Sequence, residues 1–145
     1  MKIDGSCHCG YITYGAEIDP DKVVICHCTD CQSLSGSAFR TVAMSRAGTF
    51  ALRSGTPKLY VKTAESGAGR EQAFCPECGS PIYSTSVGDG PKIHGIRVGT
   101  IRQRNELIPT RQVWTRSEQH WVDDLGSVPK VAKQSQLALK PTTTD

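Results

Sequence analysis

Short runs rich in β-branched and aromatic residues recur along the chain, and this pattern predicts a mainly β fold. Residues 58–62 (KLYVK) alternate polar and apolar positions most clearly, which predicts a half-buried strand. Segments rich in Gly, Pro and Ser separate the runs and predict turns. The other strand-like runs are residues 12–14, 23–25, 38–43, 49–52, 71–74, 81–85, 93–98 and 112–115.

Helical signals are few in this sequence. Thr29 and Asp30 are residue types that favour helix N-caps, so we expect a short helical turn there that carries Cys31. Residues 131–139 are the second candidate, either helical or frayed, and the last five residues predict a loose tail. Because no repeat or linker interrupts the pattern, we expect one domain over residues 1–130, followed by a C-terminal tail over residues 131–145.

The composition is typical of one globular domain, with 145 residues of which 37% are hydrophobic and 21% charged. No apolar run approaches the roughly 20 residues that a membrane helix needs. The residues after Met1 lead directly into a cysteine motif and lack the apolar segment of a secretory signal. These features predict a cytoplasmic protein without a membrane partner. In the cytoplasm, clustered cysteines indicate metal binding or catalysis more often than disulfides.

Seven cysteines fall into three groups whose spacing suits metal binding. Two cysteines separated by one or two residues can bind the same zinc ion, which takes thiolates in tetrahedral geometry. Four sulfurs close a structural site, whereas three leave a position for water or substrate. The contiguous triplet can bind an ion alone, and the two outer pairs would then share another. The groups are Cys7 and Cys9; Cys26, Cys28 and Cys31; and Cys75 and Cys78.

Other assignments of the cysteines stay open at this point. All seven could be structural, with His8 or His27 as an eighth ligand. Disulfides would leave one cysteine over, because the count is odd. Metal binding also changes the charge: two zinc ions add four positive charges and seven thiolates add seven negative ones, which brings the formal net charge from +3 to zero. This balance argues against a nucleic-acid partner, whose binders usually carry a basic surplus.

Three cysteine motifs resemble those of the glutathione-dependent formaldehyde-activating enzyme family, which also includes centromere protein V. They are residues 5–10 (GSCHCG), 26–32 (CHCTDCQ) and 74–81 (FCPECGSP). The resemblance extends over roughly residues 5–129. Two stretches depart from it, because residues 102–104 (RQR) stand where the family often has acidic residues, and Gln112 stands where it commonly has histidine. Supporting positions are Gly36, Phe39, Gly55, Tyr60, Arg70, residues 98–101 and Trp121.

The resemblance implies a β-tent fold of short, largely antiparallel strands with two zinc ions per chain. It implies a structural zinc and a second zinc at which substrate thiol chemistry occurs. The implied reaction joins glutathione, the co-substrate, and formaldehyde into S-hydroxymethylglutathione, and the enzyme is classed as a carbon–sulfur lyase. The implied structural ligands are Cys7, Cys9, Cys75 and Cys78, and those of the second zinc are Cys26, Cys28 and Cys31.

A site with three thiolates and one open position suits the capture of a small thiol. A thiol that binds zinc loses its proton, and the resulting thiolate can attack an aldehyde carbon. His27, between two ligands, is expected to point away from the ion and to support it from outside. The back half of the chain is rich in arginine, which predicts either a solvated face or a clamp for carboxylates. Arg70 and Arg102 are the candidate contacts for the carboxylates of the thiol substrate.

Three functional hypotheses follow from these features. The first is a zinc-dependent lyase or carrier that acts on a small-molecule thiol–aldehyde adduct. The second is a non-catalytic zinc-binding module for a protein or nucleic-acid partner. The third is a thiol redox or metal-buffering protein, which would need reversible oxidation of Cys26 and Cys31. The sequence leaves the oligomeric state open between a monomer and a homodimer.

Overall fold

The structure, a computed structural model, describes residues 1–134. Strands dominate these residues, and the prediction of a mainly β, largely antiparallel fold is confirmed. The strands are β1 (Lys2–Ser6), β2 (Thr13–Cys26), β3 (Arg40–Ser45), β4 (Ala51–Ser54), β5 (Lys58–Thr63), β6 (Gly69–Phe74), β7 (Pro81–Ser86), β8 (Gly95–Arg97) and β9 (Arg111–Val113). The helical segments are α1 (Thr29–Ser35) and the 3₁₀ turns Val98–Thr100, Arg104–Glu106, Thr115–Ser117 and Val122–Ser127.

The boundary predicted at residue 130 stays a prediction. Most of the expected tail, residues 135–145, lies outside the described residues, and so does most of the helical candidate 131–139. Within the described part of the chain, no helix is long and apolar enough to cross a membrane.

Strand β2 is the longest element, and it joins two parts of the sheet. Its first half pairs with β1 and β4, and its second half pairs with β3 and β9. The register with β3 shifts between Ile18 and Val23, where Pro20 removes a backbone donor from the ladder. The prediction of separate strands at residues 12–14 and 23–25 was therefore wrong, because one irregular strand continues through both.

The strand order β1-β2-β3-β8-β7-β6-β5 brings distant parts of the chain side by side. Strand β8 lies between β3 and β7, with Arg97 opposite Val42 on β3. The pairing of β9 with β2 is parallel and places Val113 beside Cys26. Residues near 26, 40, 97 and 113 thus meet at one region of the sheet.

The two faces of this sheet differ sharply in polarity. Side chains alternate between faces along a strand. One face carries Val23, Ala43, Ala73, Tyr83 and Ile96, which are all buried in the core. The other face lines an open cleft. Its cleft-facing residues include Cys26, Arg40, Arg70, Gln72, Ser84 and Arg97.

The core is built largely from isoleucine and aromatic side chains. Ile12, Ile18 and Ile82 are fully buried, and burial of each such side chain contributes roughly 1.5–3 kcal/mol. Tyr14 is also fully buried, and its hydroxyl bonds the hydroxyl of Thr100 at 2.6 Å, which satisfies the polar end of the ring.

Strand β5 departs from the prediction of a half-buried strand. The exposed fractions of Leu59 and Val61 are 47% and 54%, so the apolar side chains of the alternating pattern are not covered. These side chains lie at the edge of the sheet, because β5 is the last strand in the sheet order and pairs only with β6 among the described strands. Strand β1 was not predicted, because residues 2–6 carry a single large apolar residue, Ile3.

Candidate metal centres and the adjoining cleft

Four cysteines from distant parts of the chain meet in one group. The motif with Cys7 and Cys9 follows β1, and Cys75 and Cys78 lie in the connection between β6 and β7. One Sγ atom from each of the four lies within 4.8 Å of all the others. The Cys7–Cys9 and Cys9–Cys75 sulfur distances are 3.6 and 3.8 Å.

These distances fit a metal ion ligated by four sulfurs. A tetrahedron with metal–sulfur bonds of about 2.3 Å has edges of about 3.8 Å. Cys7 and Cys75 are buried, whereas Cys9 and Cys78 are exposed. Because the four sulfurs could fill all four positions around one ion, this group suits a closed structural site. A hydrogen bond from the Ser80 hydroxyl, at 3.2 Å, lowers the pKa of the Cys78 thiol to about 5, which favours the thiolate that a metal needs.

Three further cysteines form a second group at the start of α1. Cys26 ends β2, Cys28 is the N-cap residue of α1, and Cys31 lies in its first turn. Their three Sγ atoms lie within 4.8 Å of one another, and all three residues are half-buried. The backbone N–H of Cys31 donates to Cys28 Sγ at 3.2 Å, which fixes the turn between them. A hydrogen bond with the Cys31 thiol lowers the pKa of Cys26, and the same bond raises the pKa of Cys31.

Neither His8 nor His27 belongs to either group among the described residues. His27 is fully buried, and its Nε2 donates to Gln112 Oε1 at 2.7 Å. Its carbonyl oxygen accepts hydrogen bonds from Gln32 Nε2 at 2.8 Å and from Ser117 Oγ at 3.1 Å. His27 therefore holds the backbone between Cys26 and Cys28 in place.

The group of three opens into a cleft of about 780 Å³. That size falls within the range of small-molecule sites. Two ion pairs tie its rim together, Lys62 to Asp30 at 2.8 Å and Arg116 to Glu65 at 3.0 Å. The four-cysteine group does not line this cleft.

The floor of the cleft carries two buried arginines. The exposed fractions of Arg40 and Arg97 are 6% and 8%. Both donate to one amide oxygen, Gln72 Oε1, Arg40 from Nη1 at 3.4 Å and Arg97 from Nη2 at 2.7 Å. Burial, together with the neighbouring guanidinium of Arg40, lowers the pKa of Arg97 to about 9.

The two arginines proposed from the sequence lie in different places. Arg70 lines the cleft, and its Nη2 donates to Ser84 Oγ at 3.4 Å. Arg102 lies outside the cleft, and its guanidinium donates hydrogen bonds to both carboxylate oxygens of Asp4 on β1, at 2.8–3.1 Å. Hydrogen bonds from Arg102 and Gln103 lower the pKa of Asp4 to about 2. The guanidinium of Arg102 is thus occupied by the protein itself.

Sequence reasoning missed Arg40, Gln72 and the position of Trp114 in this cleft. Arg40 interrupts the apolar run of residues 38–43, and a charged residue within a strand-like run was the available signal. Trp114 lines the cleft with a φ of 58°, in the left-handed region that non-glycine residues rarely adopt. The guanidinium of Arg116 lies 4.9 Å from the centre of its ring. The sequence carries no signal for that backbone conformation.

Together, the fold and the cysteines define a class of protein: a mainly β domain with one closed cysteine group and one cysteine group in a cleft, each able to hold a metal ion. The family model for glutathione-dependent formaldehyde-activating enzymes matches residues 2–117, and the chain belongs to that family. Membership supports a glutathione-dependent, formaldehyde-related activity.

A solved structure agrees on the fold. The crystal structure of a Rhodobacter sphaeroides protein, a structural genomics target, superposes with a TM-score of 0.57 at 17% sequence identity. The match covers 76% of this chain and 99% of that one. Comparison with curated proteins finds no significant match.

Proposed function

We propose that this protein is a zinc-dependent carbon–sulfur lyase that acts on a glutathione–aldehyde adduct such as S-hydroxymethylglutathione. One observation carries the proposal: the three-cysteine group lines a cleft of small-molecule size, whereas the four-cysteine group is closed. Family membership supports glutathione and formaldehyde as the reactants. In this proposal each of the two groups holds one zinc ion, which gives two zinc ions per chain.

The two cysteine groups have different roles in this proposal. Cys7, Cys9, Cys75 and Cys78 hold a structural zinc that connects the N-terminal motif to the β6–β7 connection. Cys26, Cys28 and Cys31 hold the second zinc. Zinc bound there supplies a position at which a thiol becomes a thiolate near neutral pH.

The reaction joins two atoms and moves one proton. The glutathione sulfur donates an electron pair to the aldehyde carbon, a C–S bond forms, and the carbonyl π pair becomes an alkoxide that takes up a proton. Cleavage runs the same steps in reverse. Arg70, which lines the cleft and bonds Ser84 Oγ at 3.4 Å, stabilises the negative charge that moves from sulfur to oxygen. The His27 contacts with Gln32 and Ser117 keep the cysteines in position as the charge moves.

A non-catalytic zinc module that binds a protein is the second candidate. Its specific support is the edge strand β5, on which the exposed fractions of Leu59, Tyr60 and Val61 are 47–54%. An exposed strand edge can pair with an extended segment of a partner. In that case the three-cysteine group would not bind a thiol.

Native mass spectrometry with and without glutathione separates the two functions. We expect two zinc ions per chain and one glutathione adduct, which Cys28→Ser abolishes. This variant should stay folded, because serine is also a good N-cap for α1. Ser35→Ala, at the other end of α1, should keep the adduct. Two zinc ions without glutathione uptake, or a single zinc ion, would favour the binding module.

Catalysis itself is measured by exchange NMR of glutathione with formaldehyde. The enzyme should accelerate the exchange between free glutathione and its hydroxymethyl adduct above the spontaneous rate. The Cys28→Ser variant should leave only the spontaneous rate. Equal rates with wild type and with no protein would remove the lyase assignment while leaving thiol binding to be judged by the mass spectra.

A further inference from the structure

The three arginines of the cleft have no acidic partner in the part of the chain that the structure describes. Among residues 1–134, no salt bridge joins Arg40, Arg70 or Arg97 to a carboxylate. The cleft does contain two acidic side chains, Asp30 and Glu65, but both lie on the rim in ion pairs of their own. The floor of the cleft is therefore strongly cationic.

Among the described residues, the two buried guanidiniums have only neutral acceptors, the Gln72 amide oxygen for both and the Gly95 carbonyl oxygen for Arg97 at 3.4 Å, and this arrangement is unfavourable. Burying a charge is costly unless it is paired with an opposite charge and hydrogen-bonded. Arg40 and Arg97 both point to Gln72 Oε1, and Arg97 Nε is buried and has no hydrogen-bond partner among the described residues. The lowered pKa of Arg97 has the same cause. Such a pair fits an anion that arrives from outside the chain.

The second zinc would supply only part of the missing negative charge. Three thiolates and one zinc ion carry a net charge of minus one, and a bound substrate thiolate makes it minus two. The three cleft arginines carry three positive charges. One positive charge remains, which is the charge that a single carboxylate neutralises. Guanidinium groups bind carboxylates through two parallel hydrogen bonds.

We propose that Arg40 and Arg97 form a carboxylate subsite, so that the cleft selects small thiols that carry a carboxylate. The inference rests on the proposed function, because it assigns the thiol end of the ligand to Cys26, Cys28 and Cys31. Arg70, on the same face of the sheet, adds a third cation beside the pair. Neutral or amine-bearing thiols would bind the sulfur site without this second anchor.

Matched thiols test the subsite in the zinc-loaded protein. The first pair is N-acetylcysteine and N-acetylcysteinamide, and the longer pair is glutathione and its diethyl ester. Isothermal titration measures all four affinities. We expect the acid to bind about 10- to 100-fold more tightly than its amide or ester counterpart in at least one pair, as for a charge-assisted hydrogen bond. Equal affinities within both pairs would overturn the inference.

Arginine variants locate the effect. Arg40→Gln and Arg97→Gln should reduce the preference for the acid to within about twofold, while the affinity for the neutral thiol stays the same. Arg46→Gln is the matched control, because Arg46 is exposed and lies outside the cleft. If Arg40→Gln weakens acid and neutral thiols equally, the arginines support the cysteine group and bind no carboxylate. If Arg97→Gln fails to fold, the Arg40→Gln variant and the comparison of acid and neutral thiols in wild type decide whether the subsite exists.

The proposed function and the subsite fail in different ways. If both members of a pair bind wild type equally and Cys28→Ser abolishes both, the thiol site stands and the carboxylate subsite is wrong. If no thiol binds wild type, the proposed function is wrong, and the subsite that rests on it is wrong as well.

Discussion

At the scale of single residues, His27 shows how the cysteine triplet is held in place. The residue lies between two of the cysteines in sequence, yet its side chain is fully buried and belongs to neither cysteine group. Its Nε2 donates to Gln112, and its carbonyl oxygen receives bonds from Gln32 and Ser117. These contacts connect the triplet to β9 and to the turn after it, so residues far away in sequence fix the positions of the sulfurs.

Replacing Gln112 with leucine tests this connection. The variant leaves a buried histidine N–H without an acceptor, so we expect the free energy of unfolding to fall by about 1–3 kcal/mol. Urea unfolding followed by circular dichroism measures the change. Arg111→Gln is the control on the same strand, because both residues are exposed but Gln112 is the one that bonds His27. Equal stability of Gln112→Leu and the control would show that the His27 bond contributes little.

Residue-scale prediction from the sequence found the cysteines and Arg70, but not the contact that Arg40 and Arg97 share on Gln72. Cysteine spacing is short-range information, since a zinc ion limits how far apart its ligands can lie. The structure gathers the cysteines into a group of four and a group of three, and that these hold zinc stays a prediction. Arg40, Gln72 and Arg97 come from three strands, and only the sheet order brings them together. No local pattern encodes that order.

At the scale of elements, β1 is fastened by polar contacts as well as by its pairing with β2. Asp4 on β1 receives hydrogen bonds from Arg102 and Gln103, which follow the 3₁₀ turn Val98–Thr100. The pKa of Asp4 falls from its ordinary value of 3.8 to about 2, mainly because of the hydrogen bond from Arg102. A carboxylate with a depressed pKa stabilises the folded state above pH 3.8, and that contribution disappears as the pH falls toward about 2.

Arg102→Gln separates this structural role from substrate binding. We expect a lower urea midpoint at neutral pH and unchanged affinity for glutathione, because Arg102 lies outside the cleft. The difference in urea midpoint between the variant and wild type should narrow as the pH falls from 3.8 toward about 2, where Asp4 becomes protonated in both proteins. Loss of metal at low pH affects both proteins alike. A weaker glutathione affinity in this variant would instead support Arg102 as a substrate contact.

Elements were predicted best where the signal was local. The N-cap types at Thr29 and Asp30 predicted a helix that the structure contains as α1, although the N-cap itself is Cys28. Burial of β5 was predicted wrongly, because alternation reports the polarity of side chains and says nothing about what covers them. The continuity of β2 through residue 20 was missed, because a proline usually ends a run and here occupies an irregular part of the strand.

At the scale of the whole molecule, the four-cysteine group connects parts of the chain that are far apart in sequence. Cys9 and Cys75, whose sulfurs are 3.8 Å apart, are separated by 66 positions. A metal ion in this group would act as a cross-link that restricts the unfolded chain. The cysteines of the second group are all local, so their metal closes no long loop.

Two cysteine variants should therefore differ in stability. For a loop of this length, a cross-link contributes about 4 kcal/mol in the chain-entropy treatment, so we expect Cys78→Ser to lose about that much. Cys28→Ser should lose far less, because its loop spans only a few residues. Thermal unfolding of the two zinc-loaded variants measures the contrast. Similar losses in both variants would show that the two groups do not divide structural and chemical roles.

The same difference in loop length has a consequence for the order of events during folding. Cys26, Cys28 and Cys31 occupy a stretch that the ribosome finishes long before Cys75 and Cys78 are made. Short loops also close faster and at a smaller entropic cost than long ones. The group of three is thus complete in the emerging chain before the group of four, and it could bind zinc first. When zinc is scarce, chains that hold zinc only in the group of three should accumulate, and the contacts of His27 with Gln112 and Ser117 form only once the rest of the chain is made.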